Sequence, residues 1–86
     1  MVKQSMVIQN PLGLHARPAA RFCSMVNTFS SNVTIRKGKK LIDGKSIISV
    51  LAGKFAYGDT IEICCMGEDE IFALFSLVKL MEEWKD

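Results

Sequence analysis

Apolar residues recur at helical spacing in three stretches of the chain. Repeats at intervals of three and four residues favour helices that bury one face. The second stretch follows Ser46, a residue type that caps helix starts, and Gly53 closes it. The third follows residues 68–70, which are all acidic and suit a helix N-terminus. The three stripes are Ala19, Phe22, Cys23, Val26 and Phe29; Ile47, Val50 and Leu51; and Ile71, Leu74, Phe75, Val78 and Met81.

Strand-like segments separate these stretches, and they alternate between apolar and polar residues. The segments are 6–9, 33–36, 40–43 and 60–65, and Gly38-Lys39 predicts a hairpin between the middle two. The resulting order, β-α-β-β-α-β-α, predicts an α+β fold, namely a two-layer open-faced β-sandwich. Its four-stranded antiparallel sheet is expected to be covered on one face by three helices. On the open face, the polar side chains of Thr34, Arg36, Thr60 and Glu62 are expected to meet water.

Composition narrows the class of protein. The chain has 86 residues, so we expect one domain spanning 1–86, and its 49% hydrophobic and 23% charged residues favour a folded domain. A net charge of +2 is too weak to indicate nucleic-acid or membrane-surface binding. No apolar run approaches the roughly 18 residues of a transmembrane helix, and no signal peptide is visible. Three cysteines, two of them adjacent, favour a reducing compartment, so we expect a cytoplasmic protein without membrane insertion.

The candidate chemistry lies where a loop meets the first helix. The only histidine, His15, stands between Gly13 and Pro18. A helix start leaves unpaired N–H groups that hold anions, and a neutral imidazole nitrogen can attack phosphorus. Arg17 adds a guanidinium that pairs with phosphate oxygens. Pro18 suits the first helical turn, and Ala16 leaves the imidazole reachable. This arrangement predicts a phosphoryl group carried on His15 and neutralised by Arg17.

Two segments resemble the histidine-containing phosphocarrier HPr of the bacterial phosphoenolpyruvate-dependent sugar phosphotransferase system. They are Gly13-Leu14-His15-Ala16-Arg17-Pro18-Ala19 and Gly44-Lys45-Ser46-Ile47, and the length and element order match throughout. The resemblance implies that His15 is phosphorylated, that Arg17 is its phosphate partner and that Ser46 is a regulatory site read by a serine kinase and phosphorylase. It implies Enzyme I as the donor and IIA-type proteins as the acceptors. The end of the short helix departs from the family, since Gly53-Lys54 stands where a large apolar residue and then glycine are usual.

A carrier site must meet its partners through an exposed surface around the loop. We expect this docking surface to combine apolar side chains with cations at its edge. Its members are Ala16, Ala20, Arg21, Ile47, Ile48 and Leu51, next to Arg17. The chain is expected to be a carrier rather than an enzyme, because no general acid or base adjoins His15 in the sequence. No cofactor is expected.

Other readings of the sequence are less well supported. Gly44-Lys45-Ser46 resembles the end of a nucleotide-binding loop, but the required first glycine is Lys39. The cysteines lack the paired spacing of a zinc site, so no metal is expected. An RNA-binding sheet would need aromatic side chains on its strands, and these strands have none. A regulatory HPr paralogue that binds proteins according to its phosphorylation state, without supporting sugar transport, remains an alternative.

Overall fold

The sheet and helices follow one another in the predicted order. The computed structural model describes residues 1–84, and its four antiparallel strands are arranged β1-β4-β2-β3 with the helices on one face. The α+β prediction is therefore confirmed. The elements are β1 Val2–Val7, α1 Ala16–Val26, β2 Asn32–Lys37, β3 Lys40–Asp43, α2 Ile47–Ala52, β4 Thr60–Met66 and α3 Glu70–Glu83.

The central strands bury one face and expose the other. Ile35 of β2 pairs with Ile63 of β4, and both side chains are fully buried against the helices. The next pair along, Arg36 and Glu62, lies on the open face, where Arg36 Nη2 is 3.4 Å from Glu62 Oε1. This alternation has the period of two that a half-buried strand requires. The apolar side chains of the sheet therefore face the helices.

The first strand begins earlier than its sequence suggests. A strand over 6–9 was wrong, because β1 pairs with β4 from Val2, opposite Cys65, to Val7, opposite Thr60. Ile8 then leaves the sheet, although its N–H donates to the Asp59 carbonyl at 2.9 Å. As an edge strand, β1 carries only half-buried apolar residues at Val2 and Met6, so its alternation is weak.

The stripe predicted for α1 is confirmed. Ala19, Phe22 and Val26 are fully buried, and Cys23 is nearly so. Phe29 lies beyond the helix end and is half-buried against the core. The N-cap predicted for α2 is also confirmed, since Ser46 Oγ accepts a hydrogen bond from the Ser49 N–H at 3.2 Å.

The core-facing side of α3 differs from the predicted stripe. Val78 and Met81 are buried as expected, but the other buried positions are Ala73 and Leu77. Ile71 and Phe75 were predicted to face the core, and both are exposed. The helix is apolar on several sides, so spacing alone does not define which side packs. No helix within the described residues is long and apolar enough to cross a membrane.

Candidate functional site

The loop before α1 is held in place by the segment that precedes β4. The Leu14 N–H donates to the Phe55 carbonyl at 2.9 Å, and both side chains are buried. Gly13 has φ +68, and a Cβ there would lie 2.5 Å from the same carbonyl oxygen. Only glycine satisfies this close approach and this backbone conformation. The loop therefore delivers His15 to the start of α1 from a fixed position.

A lysine at the end of β2 binds the segment that precedes β4. Lys37 Nζ pairs with the Asp59 carboxylate at 2.7 Å and donates to the Lys54 carbonyl at 3.1 Å. Asp59 also accepts from the Ala56 N–H at 2.8 Å, and the Lys37 and Ala56 bonds hold the pKa of Asp59 below its usual range. The sequence analysis missed this support. Its only local signal is the turn-forming pair Gly58-Asp59.

His15 is the N-cap residue of α1 and presents one edge of its ring outward. Its backbone is extended, with φ −76 and ψ −172, and its carbonyl accepts from the Ala19 N–H at 3.0 Å. The side chain makes no capping hydrogen bond and is half-buried. Nε2 is buried without a hydrogen-bond partner among the described residues. This burial leaves Nδ1 as the candidate ring nitrogen for reaction with a partner.

The first turn of α1 is suited to an anion next to His15. It contains no acidic residue, and Arg17 is exposed there. Pro18 is buried and has no N–H, so the amides of this turn nearest His15 belong to Ala16 and Arg17. Helix N-terminal amides and a guanidinium both favour a phosphoryl group. Among the described residues, no group of three or more side chains could hold a metal ion.

The residues predicted to form the docking surface lie on α1 and α2, which pack against each other. Ala16 and Ala20 are exposed on α1, and Ile47, Ile48 and Leu51 are exposed on α2. Arg21 is exposed as well, but its guanidinium lies 5.7 Å from the centre of the Trp84 ring, on the side of α1 nearer α3.

Ser46 starts α2 and is half-buried, with its hydroxyl engaged in the cap. The preceding carbonyl, of Lys45, accepts from the Asn27 side-chain amide at 3.3 Å, which joins the start of α2 to the end of α1. The sequence analysis did not name Leu12 and Tyr57, two large exposed side chains in the segments on either side of the Leu14–Phe55 hydrogen bond. Both residues adjoin turn-forming residues, and this position could have indicated exposed side chains on loops near the site.

Three comparisons relate the chain to known proteins. Residues 2–83 match a family model described as PTS HPr component phosphorylation site. A phosphocarrier protein HPr from Borreliella burgdorferi is 36% identical over the full length of both chains. The HPr-like protein Crh of Bacillus subtilis is 35% identical, over 96% of this chain and 98% of that one. A crystal structure of HPr from Thermoanaerobacter tengcongensis superposes with a TM-score of 0.92 at 35% identity, covering 95% of this chain and 92% of that one.

Proposed function

Because this chain belongs to the HPr family of phosphocarrier proteins, we propose that it accepts a phosphoryl group on His15 from Enzyme I and passes it to IIA-type proteins. Phosphoenolpyruvate is the original phosphoryl source, and sugar uptake is the process served. The observation that carries this proposal is the environment of His15, whose ring offers one accessible nitrogen beside an anion-binding helix start.

The burial of Nε2 selects the reacting atom. Because burial of Nε2 hinders the approach of phosphorus to that nitrogen, we infer that the Nδ1 lone pair is the nucleophile. Nδ1 attacks in the neutral tautomer that carries its proton on Nε2, and the P–N bond forms as the bond from phosphorus to the donor's leaving atom breaks. Onward transfer reverses these roles, because the acceptor's nucleophile attacks phosphorus and the P–N bond of His15 breaks.

Arg17 stabilises the transferred group. Its guanidinium is exposed two residues after His15, where it can pair with equatorial phosphoryl oxygens as charge develops. The first-turn amides add partial positive charge on the same side. Both effects are strongest when a docked partner excludes water from the site.

The docking surface brings both partners to His15. Two small residues, Ala16 and Ala20, leave room around the imidazole, and Ile48 on α2 is 78% exposed. An apolar patch with cations at its rim suits transient association with acidic proteins. Because donor and acceptor both need His15, they bind this surface in turn.

Ser46 is proposed as a regulatory phosphorylation site for a serine kinase and phosphorylase. A phosphoryl group there would add roughly 1.5 to 2 negative charges beside Ile47 and Ile48 of the docking surface. Acidic partners would then be repelled without any change at His15.

A regulatory role without sugar transport is the second candidate. The similarity to Crh of Bacillus subtilis, 35% identical, favours it, since that protein is named HPr-like rather than HPr. His15 and Arg17 are both present, which favours transfer. Onward delivery of the phosphoryl group separates the two candidates.

The direct test mixes the chain with phosphoenolpyruvate and Enzyme I and measures its mass. One added phosphoryl group is expected, labile in acid and stable in base as a phosphoimidazole is. His15→Ala should take up none, and Arg17→Ala should fold normally and be phosphorylated more slowly. Undiminished loading of His15→Ala would overturn the proposal. If the loaded chain forms normally but IIA-type proteins never receive the group, the regulatory candidate replaces the transport one.

A further inference from the structure

Three lysines lie together at the end of the molecule that carries the His15 loop. Lys37 ends β2, and its ammonium group donates to the Lys54 carbonyl at 3.1 Å. Lys40 begins β3 directly opposite Lys37, so the two side chains project from the same face of the sheet. The side chains of Lys40 and Lys54 are exposed. We call Lys37, Lys40 and Lys54 the lysine cluster.

A single carboxylate neutralises only part of the cluster. Asp59 pairs with Lys37 at 2.7 Å. Lys40 and Lys54 form no ion pair within residues 1–84. Asp43, three residues after Lys40 on β3, projects from the opposite face, because successive strand residues alternate. Excess positive charge therefore remains on this edge of the molecule.

Two features of the cluster are unfavourable to the fold. Like charges placed directly opposite one another weaken a strand pair, and Lys37 and Lys40 are such a pair. Lys54 has φ +52, a backbone conformation that favours glycine. Locally unfavourable residues of this kind concentrate at functional sites. Their coincidence next to the His15 loop points to binding rather than to folding.

We propose that the lysine cluster extends the docking surface and binds an acidic segment of the protein that exchanges the phosphoryl group with His15. The inference rests on the proposed function, which supplies this partner. Lys54 follows the end of α2, and Leu51 of α2 belongs to the docking surface, so the two surfaces are continuous. Carboxylates of the partner complement the unpaired ammonium groups.

The distance from His15 allows one partner to cover both regions. Phe55 follows Lys54, and its carbonyl accepts from the N–H of Leu14, which precedes His15, at 2.9 Å. Bond lengths along this path place the Lys54 Cα within about 15 Å of the His15 Cα. A standard interface buries about 800 Å² per partner, the area of a disc of roughly 16 Å radius. A partner centred on His15 therefore also reaches Lys54.

The cluster is expected to act on association and not on the transfer step. Exposed charges at the rim of an interface change mainly the association rate and its salt dependence. The phosphoryl group itself is next to Arg17 and the first-turn amides of α1. Loss of cluster charge should therefore raise the KM for the partner at constant kcat, and the effect should fade as salt screens the charges.

The kinetic test measures phosphoryl uptake from Enzyme I in about 20 to 500 mM NaCl. Lys40→Glu should raise the KM for Enzyme I about five- to tenfold at the lowest salt, with kcat unchanged, and the difference should shrink at the highest. Lys3→Glu is the matched control, because Lys3 is an exposed lysine on the other edge strand, β1, and its reversal changes the net charge equally. Its KM should stay within about twofold of wild type.

Variants of Lys54 separate docking from stability. Lys54→Gly removes both the ammonium group and the left-handed strain, so it should unfold at a higher temperature than wild type and yet have a KM about threefold higher. Lys54→Arg keeps the charge and should keep the wild-type KM. Equal KM values for Lys40→Glu and Lys3→Glu, a wild-type KM in Lys54→Gly, or a fall in kcat at constant KM would each overturn the proposal.

Binding is recorded separately from transfer by titrating the ¹⁵N-labelled chain with Enzyme I. Amide shifts are expected at Lys40 and Lys54 as well as on α1 and α2. Docking with these shifts but without phosphoryl transfer would refute the proposed function and support the cluster. Shifts confined to α1 and α2, with transfer intact, would overturn the cluster alone. Tighter binding of a short DNA duplex than of Enzyme I at these lysines would overturn the choice of an acidic protein.

Discussion

At the scale of single residues, the end of α2 carries a lysine in a backbone conformation suited to glycine. Lys54 has φ +52, the only positive φ at a non-glycine position among the described residues. Gly53 has an ordinary helical φ of −67, but a Cβ on it would lie 2.8 Å from the Phe55 ring. Glycine is thus required at 53 for space. The left-handed conformation consequently falls on Lys54, where the resemblance to HPr leads one to expect glycine.

Replacing that lysine should stabilise the protein. The left-handed conformation destabilises the folded state by about 1 to 2 kcal/mol when the residue has a Cβ. Glycine removes this strain, but its greater flexibility stabilises the unfolded chain by about 0.5 to 1 kcal/mol, which offsets part of the gain. We expect Lys54→Gly to raise the free energy of unfolding by about 0.5 to 1 kcal/mol in urea titrations. Lys54→Ala removes the same charge but keeps the Cβ, and it should bring no such gain. A destabilised glycine variant would contradict this account of the helix end.

At the scale of elements, one carboxylate joins the start of α3 to the segment that follows α1. Asp69 accepts from the Ser30 N–H at 2.9 Å, from the Ser31 N–H at 3.0 Å and from the Ser31 hydroxyl. These hydrogen bonds, the Ser31 hydroxyl first, hold the pKa of Asp69 below its ordinary value of 3.8. The carboxylate therefore binds its proton less readily in the folded protein than in the unfolded chain.

The acid stability of the fold should depend on this carboxylate. Because the folded pKa is lowered, its stabilisation is complete above about pH 5 and is lost as the pH falls through the folded pKa. We expect Asp69→Asn to be less stable at pH 7 and to lose less stability than wild type between pH 4 and 2. Thermal unfolding across that range measures this, with the exposed neighbour variant Glu68→Gln as control. An acid transition in Asp69→Asn as steep as in wild type would contradict the assignment.

At the start of the short helix α2, two variants of Ser46 distinguish a structural role of this residue from a regulatory one. Its hydroxyl caps the helix, so Ser46→Ala should cost about 1 kcal/mol of stability. Ser46→Asp keeps an acceptor and favours the helix start, so its stability should equal or slightly exceed that of wild type. Phosphoryl uptake from Enzyme I should nevertheless slow in Ser46→Asp, because the charge adjoins the docking surface. If its uptake rate equals that of wild type, Ser46 is a cap and nothing more.

The helices also show when the spacing of apolar residues fails to identify the buried side. The α1 stripe was predictable because polar residues such as Arg21 and Ser24 define its outer side. In α3, apolar residues occupy the exposed side too, and the small Ala73 packs against the core in place of the larger Phe75. Helix spacing cannot distinguish two apolar sides, since only the shape of the opposing layer decides between them.

At the scale of the whole molecule, the candidate site joins parts of the chain that are distant in sequence. His15, Arg17 and the glycine before them could be proposed from the sequence, since they lie within one short motif whose chemistry is local. The ion pair between Lys37 and Asp59 was not predictable, because the two residues are brought together only by the sheet and the segment before β4. The accessible face of the imidazole was likewise unpredictable, since it depends on how the loop packs against the fold.

The central claim, that His15 takes the phosphoryl group on its accessible nitrogen, is tested most directly by NMR of the ¹⁵N-labelled imidazole. Spectra are recorded before and after phosphorylation by Enzyme I and phosphoenolpyruvate. Phosphorus coupling is expected at Nδ1, with Nε2 showing none, because Nε2 is buried. Coupling at Nε2, or imidazole signals that stay unchanged while the mass rises by one phosphoryl group, would contradict it.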